Sequence, residues 1–269
     1  MTVGLTVNRI DLSGRTAIVA GGAQGTALAV AQAISASGGN VMLAMRSQEA
    51  ANAAAATLGG NAVGVAARAV DQAAAQRCVE AAVDRFGGVD ILVNAFGNNH
   101  AHGRVVDQDY LRFTKTLGVN LWAPILWTSV VTRVWMSEHG GVVINTIDGT
   151  GPAGDRGLYG ASNAALIQLT AELAVELSPT VRVNAVAVGI AGFEHAGSAT
   201  TLTRTGEADE VGDVVASLAS DAESWVTGQT LVIACGCGRS RPHAVGSSRC
   251  GPVDVRNTDG NTPHSSSSR

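Results

Sequence analysis

The stretch VAGGAQGTALAVAQAISASGG (19–39) reads as the end of a buried strand, a turn with glycines at 21, 22 and 25, and the opening of an alanine-rich helix. Glycine at such a turn lets the backbone bend tightly and lets another group approach it closely. The unpaired N–H groups and the dipole of the helix that follows make a seat for phosphate, as in a dinucleotide pyrophosphate. Tight strand-to-helix turns also use glycine for steric reasons alone, so the meaning of this one depends on its surroundings.

Those surroundings alternate regularly. TAIVA (16–20), NVMLAM (40–45), AVGVAA (62–67), VDILVN (89–94), VVINT (142–146), VRVNAVAV (181–188) and TLVIAC (230–235) are short, apolar and rich in β-branched residues. Helical segments fall near 25–38, 48–58, 72–86, 107–138, 159–177 and 209–219, the fourth broken around Gly118–Pro124. Continuous apolar strands separated by helices predict a parallel sheet covered on both faces. Right-handed crossovers then give a single doubly wound, Rossmann-type α/β domain of about seven parallel strands, spanning residues 1–238. Residues 239–269 have no aromatic residue and no periodicity, and carry five arginines against two aspartates. Such a segment cannot bury enough apolar surface to order itself, so a disordered C-terminal tail is expected.

Composition excludes several functions. Of 269 residues 46% are apolar and only 15% charged, and the net charge of −4 with scattered arginines argues against nucleic-acid binding. No apolar run reaches the roughly 18–20 residues of a membrane span. The start, MTVGLTVNRIDLSG, lacks the pattern of a signal peptide. Cys78, Cys235, Cys237 and Cys250 match no zinc spacing, so no metal is expected and a reduced, cytoplasmic protein is the default. One lysine, Lys115, stands against seventeen arginines. A mechanism that needs a titrating ammonium must use Lys115 or do without, because arginine stays protonated. Lys115 lies in the polar helical stretch DYLRFTKT and reads as a solvated surface residue.

The segments after the glycine turn carry a resemblance. ILVNAFG (91–97), GVNLW (118–122), VVINTIDGTG (142–151), YGASN (159–163), RVNAVAVG (182–189) and ASDAESWVTGQTL (219–231) stand in the order and spacing of the short-chain dehydrogenase/reductase family. The likeness covers about residues 10–236. It implies NAD(P) as cofactor, a small-molecule substrate with a carbonyl or hydroxyl group, and a dimer or tetramer. The subunits would pair through the helices near 107–138 and 159–177. By position, the resemblance assigns cofactor binding to Gly21, Gln24, Gly25, Thr26, Arg46, Asn94, Gly97, Asn163 and Gly189. Met45-Arg46 ends the second strand where a carboxylate would select NAD. NADP is therefore favoured over NAD if either binds, the alternative being that Arg46 is simply solvated.

Departures from the family pattern fall on the chemistry. The turn has Ala20 and Ala27 where the family has Thr and Gly; Phe96 replaces a small residue; Ala69 stands for an acidic one; and Val188 replaces Pro. Of the family's Asn, Ser, Tyr and Lys, this chain keeps Asn120 and Tyr159, but has Asp148 for Ser and Asn163 for Lys. Thr146 is a nearby hydroxyl, and His100, His102 and His195 lie on loops at the same face, where solvation is the expected role. The family Tyr donates a proton to a carbonyl oxygen, and the Lys lowers its pKa. Without an ammonium, and with a carboxylate nearby, the Tyr159 phenol is expected at or above the usual value of about 10.

Three functions are compatible with this set. One is a divergent NAD(P)-dependent reductase, slow by the family mechanism. Another is a non-redox enzyme, such as a cyclase, isomerase or dehydratase, using Asp148 and Tyr159 as an acid–base pair. A third is a catalytically silent subunit partnering an active relative.

Overall fold

The computed structural model describes residues 10–22, 25–59, 61–149, 156–189 and 206–234. Gln24, Phe193, His195, Cys235, Cys237, Cys250 and the 239–269 segment lie outside the described residues. Seven strands, β1 (Thr16–Gly21), β2 (Asn40–Met45), β3 (Ala62–Ala66), β4 (Ile91–Ala95), β5 (Gly141–Asp148), β6 (Val181–Val188) and β7 (Thr230–Ile233), form one sheet in the order β3-β2-β1-β4-β5-β6-β7. Every neighbouring pair is parallel. The helices are α1 (Thr26–Ala36), α2 (Gln48–Leu58), α3 (Gln72–Phe86), α4 (Tyr110–Leu117), α5 (Ala123–Val131), α6 (Ser137–His139), α7 (Gly157–Glu176) and α8 (Ala208–Ala219). The expected Rossmann-type architecture is present.

Strand periodicity divides the core in two. Ala17 and Val19 of β1 point to one face, where Val30 and Ile34 of α1 and Val211 and Val215 of α8 cover them. Ile18 and Ala20 point to the other, under Cys78 and Val79 of α3 and Trp127 and Val130 of α5. All of these are essentially inaccessible to water, which is why the strands read as unbroken apolar runs. The buried Trp127 indole donates to the Ala69 carbonyl at 2.9 Å, so its one polar group is satisfied. The Cys78 thiol is free, and burial pushes its pKa up to about 12.

The long fourth helical stretch is interrupted where the sequence breaks it. Pro124 has no N–H to return to the Asn120 carbonyl, and its ring would press on that oxygen. Ahead of it the chain widens into a π turn, Gly118–Trp122, before α5 begins. A second π turn, Thr132–Met136, leads into α6. Strand β4 starts at Ile91 rather than at 89, and Asp90 just before it is tied to β1, its carboxylate accepting from the Thr16 N–H at 2.8 Å.

Candidate active site

The strand order reverses direction between β1 and β4, and crevices at the carboxyl ends of such strands are where α/β sheets take ligands. A cleft of about 960 Å³ lies there, at the upper end of the range usual for small-molecule and cofactor sites. Gly21, Gly22 and Thr26 line one end of it, and Thr146, Asp148, Tyr159 and Gly189 are also on its walls.

The glycine turn is fixed by packing as much as by any ligand. A Cβ on Gly21 would sit 2.2 Å from the carbonyl oxygen of Ala95 on β4, an impossible approach. Gly25 adopts φ +61° at the N-cap of α1, offers no side-chain cap, and has open space where a Cβ would point. Among the described residues no side chain caps the first turn of α1, the condition under which a helix N-terminus can receive a phosphate. Arg46, at the end of β2, lines the cleft and is exposed, and so is Arg68, which follows β3. Phe96 leans on Trp127, with ring centroids 5.9 Å apart, and forms part of the wall. This end fits a dinucleotide: an open cradle at Gly25, an uncapped helix start and two exposed guanidinium groups.

Asn94 does not share that setting. Its side chain is buried, with the amide nitrogen donating to Asn145 Oδ1 at 2.9 Å and to Thr128 Oγ1 at 3.4 Å. Asn145 in turn donates to Thr170 on α7 at 3.0 Å. Asn94 thus ties β4, β5, α5 and α7 together, and is absent from the cleft wall.

At the other end, α7 carries Tyr159 and Asn163 four residues apart and therefore on one face. The buried Asn163 amide donates to the backbone carbonyl of Asp148, the last residue of β5, at 3.2 Å. The Tyr159 hydroxyl lies 3.5 Å from where a Cβ on Gly97 would sit, so the phenol packs against Gly97, and both line the cleft. Asn120, in the first π turn, uses its whole amide on neighbours. Its Oδ1 accepts from the Asn98 N–H at 2.9 Å, and its Nδ2 donates to the Asn98 carbonyl at 3.0 Å and to Ser162 Oγ at 3.1 Å. Ser162 Oγ donates to the Tyr159 carbonyl at 2.7 Å. Asn120 therefore locks the loop after β4 onto the turn of α7 that carries Tyr159.

Electrostatics at this end are unusual. The Tyr159 phenol lies above its ordinary value, first because it is buried and second because of the Asp148 carboxylate. A hydrogen bond from Asn163 and the charge of Arg156 pull it partly back. Arg156 Nη1 stands 3.5 Å from Asp148 Oδ2, with both side chains partly buried. Thr146 Oγ1 donates to the Asn94 carbonyl at 3.4 Å. Lys115 is exposed on α4 and is not among the residues lining the cleft. His100 does line it, whereas His102 Nδ1 faces Asn99 at 3.3 Å. Among the described residues no cluster of His, Cys, Asp or Glu is arranged to hold a metal. Sequence reasoning missed Arg68 and Arg156. Arg68 was legible as a basic residue beside the third strand, but nothing local marked Arg156 as a neighbour of Asp148.

A family model described as "Enoyl-(Acyl carrier protein) reductase" matches residues 21–238. The chain belongs to the short-chain dehydrogenase/reductase family. Dehydrogenase/reductase SDR family member 4 of Homo sapiens is 31% identical over 244 residues, covering 84% of this chain and 88% of the relative. A solved dehydrogenase/reductase of Sinorhizobium meliloti 1021 superposes with a TM-score of 0.79 at 30% identity, covering 85% of this chain and 97% of the other. A short-chain type dehydrogenase/reductase of Mycobacterium marinum gives 0.80 at 27% identity, over 86% and 97% of the two chains. Members of this short-chain family generally bind NAD(P), in keeping with the glycine turn and open helix start of the cleft. Among the described residues no helix is long and apolar enough to cross a membrane.

Proposed function

We propose that the chain is a divergent NAD(P)-dependent short-chain oxidoreductase that reduces the carbonyl of a small organic or acyl substrate, slowly by the family mechanism. One observation carries this reading: Tyr159 lines the same cleft as Gly21, Gly22 and Thr26 of the glycine turn, with its hydroxyl against Gly97. Gly21, Gly25, Thr26, Gly97 and Gly189 would hold the dinucleotide, while Asn163, buried behind the wall, holds the Asp148 backbone beside Tyr159. When bound, a nicotinamide dinucleotide supplies the hydride. Tyr159 donates its proton to the carbonyl oxygen. Asn120 keeps Tyr159 and the loop after β4 in register, and Gly97 packs beside the Tyr159 hydroxyl.

A phenol held above its ordinary value is a competent donor and a poor base. Reduction is therefore favoured over oxidation near neutral pH, and the lost tuning costs on the order of a hundredfold in rate. Arg46, with Arg68 beside it, supports NADP over NAD, because a guanidinium pairs a 2′-phosphate and no carboxylate repels it. Titration with NADPH and NADH by fluorescence or calorimetry, followed by a panel of carbonyl substrates, tests the reading. No binding at millimolar cofactor overturns it.

The contact of Asp148 with the Tyr159 environment favours a second reading, in which the two act as an acid–base pair in a non-redox reaction. Turnover of a carbonyl or epoxide substrate without cofactor separates it from the first. Self-association is also part of the proposal. Tyr110, Leu111, Phe113 and Trp122 expose 79%, 61%, 39% and 52% of their surfaces on α4 and the turn after it, an apolar face of the kind oligomers bury. Its occupant is a second copy or a relative with an intact Tyr–Lys pair, and in the latter case the chain is a silent subunit. Sedimentation of the purified chain alone, compared with what copurifies from its source, distinguishes them.

A further inference from the structure

The family mechanism places a cation on α7 after its tyrosine, and this chain has a neutral amide there. A cation is nevertheless present near the same tyrosine, just before the start of α7. Arg156 immediately precedes α7 as its N-cap residue, three residues before Tyr159 in the chain, and its backbone is not helical (φ −125°, ψ 27°). Two contacts fix it. Its backbone forms a β-bridge with Gly103, in the loop after β4, and its guanidinium meets Asp148 Oδ2 at 3.5 Å. The neighbouring Gly157 packs against Val105 so closely that a Cβ on it would overlap the valine side chain, which further joins this loop to the start of α7.

We propose that Arg156 is a positioning residue that replaces the missing ammonium, holding positive charge beside Tyr159 from the N-terminal side and offsetting Asp148. The inference rests on the reading of Tyr159 as proton donor. As the phenol O–H bond breaks and its proton passes to the substrate oxygen, the electron pair stays on Tyr159 Oη. Arg156 opposes the charge that Asp148 already places there. The groups facing the phenol are Asp148 from β5, Arg156 from the segment before α7 and Asn163 from α7 itself, with His100 on the wall of the same cleft. A guanidinium stays protonated and cannot pass a proton on, so Arg156 acts by charge alone. That separates it from a lysine, which can also take part in proton relay.

The chain contains only two tyrosines, which makes the proposal measurable without a substrate. In a Tyr110→Phe background, the ultraviolet absorbance of phenolate reports Tyr159 alone, with circular dichroism confirming that the fold persists over the titration. Arg156→Gln is expected to raise the midpoint, because the Asp148 charge is then no longer offset. Arg156→Lys is expected to stay near the parent, and Asp148→Asn to lower the midpoint. If Arg156→Gln leaves the midpoint unchanged or lowers it, the proposal is overturned. If Arg156→Gln does not fold, a midpoint that fails to fall in Asp148→Asn overturns it instead. The proton-donor reading fails separately, if Tyr159→Phe leaves cofactor-dependent turnover intact while the titration behaves as described.

Discussion

The glycine-turn end of the cleft and its Tyr159 end are made of different material. At the first, the shape is set by backbone: Gly21 is required by the Ala95 carbonyl of the next strand, and α1 starts without a side-chain cap. Ala20 and Ala27, which flank the turn, are small and buried and add no bulk to it. At the second, the chemistry belongs to side chains. Asp148, Arg156, Tyr159 and Asn163 sit on a scaffold that holds whatever residues occupy those positions. Backbone-built sites resist drift because a change breaks the fold, whereas side-chain sites can change charge with the fold intact.

The comparison can be broken most directly at Tyr159. Tyr159→Phe is expected to lower carbonyl reduction by about a hundredfold or more, with NADPH binding unchanged in a fluorescence titration. The sign of the pH dependence follows from the same group. The protonated phenol is the active form, its folded pKa is raised, and so the parent's reduction rate holds as pH rises from neutral and falls only beyond the ordinary tyrosine value. A fall between neutrality and mildly alkaline pH would assign the proton to another group.

Gly21→Ala tests the other end. The 2.2 Å approach to Ala95 forces β1 and β4 apart, and a loss of about 3 kcal/mol, or roughly 6–12 °C in Tm, is expected in thermal denaturation. Asn120→Ala comes next: Asn98 and Ser162 lose their partners at a cost of about 2 kcal/mol, read from the urea midpoint. Asn163→Lys sharpens the contrast by restoring the ammonium next to Tyr159, and about tenfold faster reduction is expected in steady-state assays. The smallest effect is at Arg46, where Ala is expected to weaken NADPH binding about tenfold and leave NADH binding unchanged, by calorimetry.

Much of the architecture was legible. The strands are continuous apolar runs because both faces of the sheet are covered, and all seven were visible within a few residues of their bounds. The break in the fourth helical stretch was visible because Pro124 cannot complete the hydrogen bond to Asn120. Tyr159, Asn163, Asp148 and Asn120 were assigned by the resemblance to the family pattern, and the structure brings them to the cleft or directly behind it. Asn94 and Asn120 looked alike in the sequence. One faces the sheet interior and the other clamps a loop, a difference set by which strands and helices pack around each.

The sequence by itself determined the alternation of strands and helices, the glycine turn and the absence of a lysine after Tyr159, since periodicity, backbone freedom and residue identity are local properties. Only the tertiary structure decided that Arg156 meets Asp148 beside Tyr159, that Asn120 spends its amide on Asn98, and that Gly21 is held by Ala95. Those contacts join segments whose separation in the chain says nothing about their distance in space. They depend on how the loop after β4 and the start of α7 close together over the carboxyl ends of the strands.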